Sequence, residues 1–360
     1  MTSAADAAAA GERHSAADAT GVIALAACAV WSLVTAAVQD GRPEGVLLAV
    51  LAVAAGYASG RILGALLPVA APCAGALAGL TLAIATPGPQ ILLPLGHTGA
   101  TAALLTLATG GACCAAWAAR PPALRLALRL LAAAIAVTAA VLGSTTGFVT
   151  CAGVLMCSLA AARTRHRAPG LVGLALAAAL VAGATWAMAK DALPEGLTAS
   201  LEGRLTEHRV LLWHDALRLA HQNPILGAGP GRYGDLSPTV AQSLLPDGKP
   251  HSAPLQQAAE QGVIGVALLA AVFCWVLYAL WRSPRPTPIA LTAGAALTAL
   301  AAIASIGNAL SFTTVTVGAG LLAGFATARP LADDQPENAM DAVERHRGSR
   351  QEPWAGQQEP

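Results

Sequence analysis

The sequence predicts an all-α protein that crosses a membrane about ten times, and three observations lead to this prediction. Of the 360 residues, 55% are hydrophobic and 11% are charged, whereas about a quarter of the residues in a soluble domain carry charge. Apolar runs of about 17–25 residues, the length that crosses roughly 30 Å of hydrocarbon, recur along the chain. The basic residues fall between these runs and in the C-terminal tail. The lipid bilayer is therefore the expected environment. The net charge of +1 identifies no partner, and no nucleic acid is expected.

Two groups of apolar runs flank one polar interruption. They predict a seven-span region at 20–188, an extracytoplasmic loop at 189–256 and a three-span region at 257–328. The polar segments 1–19 and 329–360 predict a disordered cytoplasmic leader and a disordered cytoplasmic tail. The individual runs lie near 20–38, 44–60, 62–86, 98–119, 123–142, 146–162 and 171–188, and then near 257–281, 288–305 and 309–328.

The arginines of the short loops predict the orientation. If the N-terminus is cytoplasmic, ten spans place nearly all of these arginines on the cytoplasmic side, as the positive-inside rule requires. They are Arg61, Arg120, Arg125, Arg129, Arg163, Arg165, Arg167, Arg282 and Arg285. Arg42 alone falls in a short loop on the opposite side. We therefore expect a multi-pass plasma-membrane protein with both termini cytoplasmic and the polar loop outside.

Within the outer loop, residues 206–222 predict an amphipathic helix that can lie along the membrane surface. Its apolar positions recur at three- and four-residue spacing and are Val210, Trp213, Leu217 and Ala220. Arg209 precedes Trp213 by four residues and shares its face, which directs the guanidinium toward the membrane-embedded body. On spacing alone, an arginine that snorkels to lipid headgroups is the more common explanation.

Two further motifs follow this helix. The stretch Gly227-Ala228-Gly229-Pro230-Gly231 can present backbone N–H groups to a phosphate, although such punctuation more often forms a plain turn. His251 lies at the water boundary just before a helix that Pro254 can start. Histidine there suits general-base work, although most loop histidines have no such role. Glu260 lies two turns into that helix, and a hydrogen bond from Gln256 is the structural explanation for it.

The sequence does not indicate metal or disulfide chemistry. His208, His214 and His221 are six and seven residues apart, which is not the spacing of a helical ligand pair, and no acidic cluster completes a zinc site. All seven cysteines lie within apolar segments, which disfavours a disulfide framework or a cysteine zinc site. We expect neither a metal nor a cofactor.

The order of these motifs resembles the O-antigen ligase and O-antigen polymerase (Wzy-like) family. The family pattern reads R-x-x-x-W, then a proline with a hydrophobic-x-G-x-G stretch, then HN-x-x-L-x-x-x-x-E-x-G-x-x-G. Here Arg209 and Trp213 match the first element, NPILGAGPG at 223–231 the second, and HSAPLQQAAEQGVIG at 251–265 the third. The resemblance is close from Arg209 to Gly265. It extends loosely over 20–328, with a related core at about 130–280.

This resemblance implies a GT-C-like, metal-independent membrane glycosyltransferase. Such enzymes move a glycan from an undecaprenyl-diphosphate carrier to a hydroxyl of a glycan or lipid acceptor on the outer face, by ligation or polymerisation. By position, Arg209 is then the catalytic residue that stabilises the diphosphate, and His251 is the one that orients or deprotonates the acceptor. The resemblance assigns substrate-binding roles to Trp213, Gly229, Gly231, Arg232, Gln256 and Glu260.

Three features depart from the family pattern. The usual Ser-Arg-Gly at the outer end of an earlier span corresponds to Ser144-Thr145-Thr146-Gly147, which has no arginine. The usual His-Asn pair is His251-Ser252, and the family commonly has more spans. Either Arg204, Arg218 or Arg232 replaces the missing arginine, or the chain has an altered substrate or no catalysis.

A transporter of cell-envelope glycan or lipid precursors, or a non-catalytic membrane protein, is the competing interpretation. The proline and glycine residues of the spans suit the broken helices of transporters. Transporters, however, normally keep ionisable residues inside their spans, and none stands out here before Lys190.

Overall fold

The computed structural model describes residues 4–85, 97–164, 166–190, 207–242 and 248–329, and all regular structure within these ranges is helical. The prediction of an all-α protein is confirmed. The helices are α1 (Ala4–Gln39), α2 (Glu44–Leu66), α3 (Ala70–Ala85), α4 (His97–Ala118), α5 (Pro122–Val141), α6 (Thr145–Ala161), α7 (Arg167–Ala189), α8 (Glu207–Gln222), α9 (Tyr233–Leu236), α10 (Pro238–Ala241), α11 (Ala253–Arg282), α12 (Thr287–Ile306) and α13 (Thr313–Thr327). A 3-10 turn at Ala309–Ser311 precedes α13.

Ten of the described helices are apolar and correspond to the ten predicted runs. Seven of them, α1, α2, α4, α5, α7, α11 and α12, are long and apolar enough to cross a membrane. The other three, α3, α6 and α13, have 16, 17 and 15 residues, fewer than the roughly 20 of a typical spanning helix. The protein is thus a polytopic membrane protein, although seven full-length spans are fewer than the ten predicted.

Two boundaries differ from the predicted ones. The run predicted at 62–86 is divided between two helices, because α2 ends at Leu66 and the residue before Pro68 is sterically biased away from helix. The segment 1–19, which was expected to be disordered, is helical from Ala4 onward. Its first residues read AADAAAA, and alanine has the highest helix propensity of all residues. Residues 330–360 of the predicted tail lie outside the described residues.

Two helices, α4 and α12, occupy the centre of the bundle. Residues 102–116 of α4 and 289–298 of α12 are buried without interruption. Close packing around them relies on small side chains, as is usual where helices meet within a membrane. In the pair α2 and α13, a Cβ atom added at Gly60 would lie 3.1 Å from the Cα of Gly324. The large exposed apolar residues, among them Leu51, Leu126 and Leu180, lie on peripheral helices that face the lipid.

Arginines of several short loops lie together at one end of the bundle. Arg167 donates to the carbonyl of Ser283 at 2.7 Å, and Arg285 donates to the carbonyl of Gly64 at 2.7 Å. Arg61 forms an ion pair with Asp18 at the same end. We call this the basic end. The grouping agrees with the alternation of spans on which the predicted orientation depends.

The described part of the polar interruption lies at the opposite end, which we call the loop end. Arg232 donates to the carbonyl of Gln39, at the end of α1, at 2.7 Å. Arg42, between α1 and α2, pairs with Asp235 at 2.8 Å. The α1–α2 connection therefore supports the segment that carries the candidate site.

Candidate functional site

Helix α8 is docked onto the bundle by its apolar face. Trp213 is fully buried and packs in one cluster with Leu212, Leu255 and Ala259, so α8 rests on the first half of α11. Tyr233 is also fully buried, and its hydroxyl donates to the carbonyl of Leu212 at 2.7 Å. The amphipathic helix predicted from residue 206 is present from Glu207. Its apolar face contacts protein, whereas the sequence had left open that it lies along the membrane surface.

Arg209 lies one turn before Trp213 and is half-buried. Its Nε is enclosed and makes no hydrogen bond to any residue that the structure describes. Burial lowers the pKa of the Arg209 guanidinium, because the charged form loses contact with water. A cation that is kept partly out of water, with no carboxylate bound to it among the described side chains, is electrostatically ready to receive an anion.

Helix α11 is broken at Gly262, which has φ 69° and ψ −164°. A glycine is required there, since a Cβ atom would overlap the carbonyl oxygen of Ile225 and a positive φ is costly for other residues. The break changes the direction of α11 and releases backbone carbonyls from the helix, and these carbonyls need new partners.

The segment 223–231, which we call the glycine clasp, supplies most of those partners. The N–H groups of Ala228 and Gly229 donate to the carbonyls of Ala259 and Glu260 at 2.8 and 2.9 Å, and the N–H of Val263 donates back to Pro224 at 2.8 Å. Trp31 of α1 completes the set, because its Nε1 donates to the carbonyl of Gln261 at 3.0 Å. The clasp and Trp31 together bind three carbonyls and one N–H group at the break.

These bonds give the glycines of the clasp a role within the protein. Gly229 has φ 97° and Gly231 has φ 72°, values that glycine adopts without strain. The N–H of Gly229 is used for the carbonyl of Glu260, and the N–H of Gly231 interacts with the Glu260 side chain. Because these N–H groups already have partners within the protein, they are not available to bind a phosphate as the sequence suggests.

Glu260 is a buried acid whose carboxylate has its hydrogen-bond partners within the protein. It is 3% exposed, and its carboxylate receives backbone N–H groups of Gly231 and Tyr233 and feels the charge of Lys249. The Nε2 of Gln256 lies 3.5 Å from each carboxylate oxygen, which is long for a hydrogen bond. Glu260 therefore ties α11 to the clasp, and the hydrogen bond from Gln256 predicted as the structural explanation is one weak contact among stronger ones.

His251 lies at the entrance to α11 in a strained conformation. Its φ is 53°, in the left-handed region that few residues other than glycine adopt, and it is 8% exposed. Ser252 follows at the N-cap position but makes no cap with its side chain. Its Oγ is buried without a hydrogen-bond partner in the described ranges. Strain and buried polar atoms of this kind concentrate at functional sites.

Three arginines could replace the one that the family motif has and this chain lacks, and they differ in whether their N–H groups already have partners. Arg218 pairs with Asp215 at 3.3 Å, and Arg232 donates one of its N–H groups to Gln39. Arg204 lies outside the described residues. At the stretch where the family motif has its arginine, Ser144 caps α6 and accepts the N–H of Gly147 at 3.1 Å.

Sequence reasoning missed three residues that shape the site. Trp31 braces the break in α11, Tyr233 fastens the clasp to α8, and Asp215 holds the start of α10 by accepting from Ser237 at 2.6 Å and from the N–H of Thr239 at 3.1 Å. Asp215 and Tyr233 each lie two residues after a family motif, whereas Trp31 is far from all three motifs in the chain. Among the described residues, no group of three metal-ligating side chains comes together.

The comparisons with known proteins agree with the motif order. A family model described as O-antigen ligase matches residues 91–270, which is 180 of the 360 residues, or half of the chain. The match runs from the segment before α4 into the second half of α11 and contains the clasp, Arg209 and His251. No curated protein and no solved structure matches the chain.

Proposed function

The chain belongs to the O-antigen ligase family, and on that basis we propose that it transfers a glycan from an undecaprenyl-diphosphate carrier to an acceptor hydroxyl. The reaction is ligation or polymerisation, and the acceptor is a glycan or a lipid. We place it at the outer face of the plasma membrane, because most of the described short-loop arginines lie at the other end of the bundle.

The half-buried Arg209, whose Nε lacks a hydrogen-bond partner in the described ranges, is the observation that carries the proposal. Glycan transfer breaks the bond between the anomeric carbon and the diphosphate oxygen, so negative charge develops on the leaving group. A fixed cation at that position stabilises the transition state. The planar guanidinium can bind two phosphate oxygens at once.

His251 supplies the second half of the chemistry. As the acceptor oxygen bonds to the anomeric carbon, its proton must leave, and an imidazole at the entrance to α11 can accept it or orient the hydroxyl. The buried hydroxyl of the adjacent Ser252 adds a polar group on the same turn. The products are the glycosylated acceptor and undecaprenyl diphosphate.

The surrounding residues position this pair. Trp213 anchors the helix that carries Arg209, and Glu260 and Gly231 fix the bend of α11 behind His251. We assign Trp213, Gly229, Gly231, Gln256 and Glu260 to support of the site. Arg232 remains a candidate diphosphate ligand through the N–H groups that Gln39 does not use. No metal or cofactor enters the proposal.

Transfer by the purified protein in liposomes tests the proposal. Undecaprenyl-diphosphate-linked glycans isolated from the source membrane serve as donor, and the release of undecaprenyl diphosphate is followed by mass spectrometry. We expect Arg209→Lys to lower the rate at least about tenfold, because lysine keeps the charge but loses the planar fork. Arg42→Lys is the matched control, since Arg42 lies at the same end in an exposed ion pair, and it should retain the wild-type rate.

Two outcomes would count against the proposal. Wild-type rates in Arg209→Lys at equal protein levels would mean that the arginine only snorkels to headgroups. Flux of the glycan carrier across the liposome membrane, without release of undecaprenyl diphosphate, would identify a transporter instead.

A further inference from the structure

A small, mostly apolar cavity with one arginine in its wall lies toward the basic end, between α4, α5 and α6, away from the candidate active site. Its volume is about 90 Å³, and its walls include Trp117 of α4, Arg129 of α5, and Leu155, Ser158 and Leu159 of α6. The proposed glycan transfer uses none of these residues. A role for the arginine in this cavity must therefore be sought outside the transfer reaction.

Arg129 is held over an aromatic ring. Its guanidinium carbon lies 5.2 Å from the ring centroid of Trp117. The ring is fixed in turn, since Trp117 Nε1 donates to Ser158 Oγ at 2.9 Å and the Thr292 hydroxyl donates to the same oxygen at 3.1 Å. No hydrogen bond or ion pair within the described ranges engages Arg129. Stacking of this kind leaves the donors at the edge of the guanidinium for another partner.

Arg125 adds a second positive charge beside the first. It precedes Arg129 by four residues and so shares its face of α5. One of its terminal N–H groups donates to the carbonyl of Ala119 at 3.0 Å, and its Nε is buried without a partner in the described part of the chain. The sequence from Gly45 to Lys190 contains no acidic residue, so none of α4, α5 and α6 can neutralise this pair.

The position of the arginines favours a lipid over a soluble anion. Arg129 lies seven residues after Pro122, or about 10 Å along the helix axis, and helical side chains tilt toward the N-terminus. Its guanidinium thus reaches back toward the basic end, where Trp117 is the next-to-last residue of α4. Leu126, Leu130 and Leu159 of α5 and α6 are 59%, 61% and 43% exposed. A ligand that places an anion at this depth and apolar chains beside leucines is a phospholipid.

We propose that this cavity binds the phosphate group of an anionic membrane phospholipid, with Arg129 in its wall as the direct ligand and Arg125, one turn earlier on the same face of α5, as a second cation at its edge. Cytoplasmic leaflets carry anionic lipids, and basic pockets between helices on that side hold their headgroups. The proposal agrees with the orientation inferred from the arginines. The bound lipid would stabilise the packing of α5 and α6 on α4, because a ligand that binds only the folded state shifts the unfolding equilibrium.

Thermal unfolding of the full-length protein in mild detergent tests this proposal. Dioleoyl-phosphatidylglycerol should raise the Tm of the wild type in a concentration-dependent way, whereas dioleoyl-phosphatidylcholine and inorganic phosphate should not. Arg129→Gln should lose most of the shift. Arg282→Gln is the matched control and should retain it, because Arg282 also stacks over an aromatic ring, 5.6 Å from the centroid of Trp281, at the same end.

Several results would overturn the proposal. They are an equal phosphatidylglycerol shift in the wild type and Arg129→Gln, an equal shift with phosphatidylcholine, and stabilisation by phosphate alone. If Arg129→Gln does not fold, Arg125→Gln takes its place, with native mass spectrometry counting bound phosphatidylglycerol. Unchanged lipid occupancy in Arg125→Gln relative to Arg282→Gln would then contradict the proposed site. Glycan transfer is not part of these readouts, so the two proposals fail independently.

Discussion

Arg209 and His251 are each held in a state that costs free energy. Arg209 keeps its charge in a partly desolvated position, and His251 adopts a backbone conformation with φ 53°. The left-handed region costs a residue other than glycine roughly 1–2 kcal/mol. Such costs persist where the surrounding structure enforces them, most often at functional sites. The strain at His251 allows its backbone role to be separated from its chemical role.

Replacing His251 with glycine removes the imidazole and relieves the backbone at the same time. We expect His251→Gly to be at least as stable as His251→Ala, because glycine adopts a positive φ without strain. Both variants should lose transfer by roughly 10²–10⁴-fold, the usual contribution of a general base. Tm values and transfer rates measured on the same preparations check this. His221→Ala, at the exposed end of α8, is the control, and a His251→Gly variant that still transfers glycan would restrict the histidine to a structural role.

Asp215 is the electrostatic anchor of the segment that follows the clasp. Burial alone would raise the pKa of Asp215, but hydrogen bonds from Ser237 and Thr239 and the charge of Arg218 outweigh it and hold the pKa below its usual value of 3.8. A carboxylate with a depressed folded-state pKa stabilises the fold at pH values above its unfolded pKa. That contribution is lost as the pH falls through the folded-state pKa.

Acid should therefore loosen α8 and α10. We expect proteolysis within residues 207–242 to increase as the pH falls below about 4. Asp215→Asn should raise cleavage already at neutral pH and remove most of the further dependence on acid. Asp235→Asn is the matched control, because Asp235 pairs with Arg42 in an exposed ion pair. Equal pH profiles for Asp215→Asn and the wild type would show that another group controls this segment.

At the scale of elements, the break in α11 and the glycine clasp form one structural unit, because the clasp hydrogen-bonds the backbone at the break. The break separates the first two turns of α11 from the rest of the helix and leaves carbonyls that the helix no longer satisfies. An unsatisfied buried polar group costs about 1–3 kcal/mol, so the clasp and Trp31 are needed to keep the break. His251 lies at the far end of the separated segment, and its placement depends on them.

Substitution of Gly262 tests this dependence. Gly262→Ala places a Cβ atom against the carbonyl of Ile225 and forces alanine to a φ of 69°. We expect a lower Tm and loss of transfer. Gly153→Ala in α6 is the control, because a Cβ atom there meets no heavy atom within 4 Å and alanine favours helix. A Gly262→Ala variant that matches Gly153→Ala in Tm and transfer would contradict the role of the break.

At the scale of the whole molecule, the charges divide the bundle into two unlike ends. The basic end holds most of the described short-loop arginines, among them Arg61, Arg167 and Arg285, and the proposed phospholipid cavity. The loop end holds α8, the clasp and the entrance to α11. In the proposed reaction the carrier lipid would reach the loop end from the bilayer, which requires a polar site and an apolar route of access on one protein.

Cysteine labelling determines which end faces the cytoplasm. We expect Gln242→Cys at the loop end to react with a membrane-impermeant maleimide in intact cells, in a background without the seven native cysteines. Thr164→Cys at the basic end should react only after the cells are opened. Both native residues are exposed, so accessibility within the protein does not limit either reaction. The reverse pattern would overturn the orientation, and with it the assignment of the phospholipid site to the cytoplasmic leaflet.

The sequence by itself determined the all-α class, the ten apolar helices, the extent of α8 and the order of the family motifs. These features depend on hydrophobic periodicity and residue spacing, which are local properties of the chain. The arginines of the short loops likewise predicted which helix ends lie together. The exceptions include the helical start at Ala4, where alanine propensity outweighs polar composition, and the short α3, which begins after Pro68.

Only the tertiary structure decided how the site is held together. Trp31 and Gln261 are 230 residues apart in the chain, and no local pattern links an indole in the first span to a carbonyl at a break in α11. The same holds for the N–H groups of the clasp, which suit a phosphate by spacing but are used by Ala259 and Glu260 once the chain is packed. Hydrogen-bond partners of buried polar groups are set by packing between distant segments, so burial and pairing at this site followed from the fold alone.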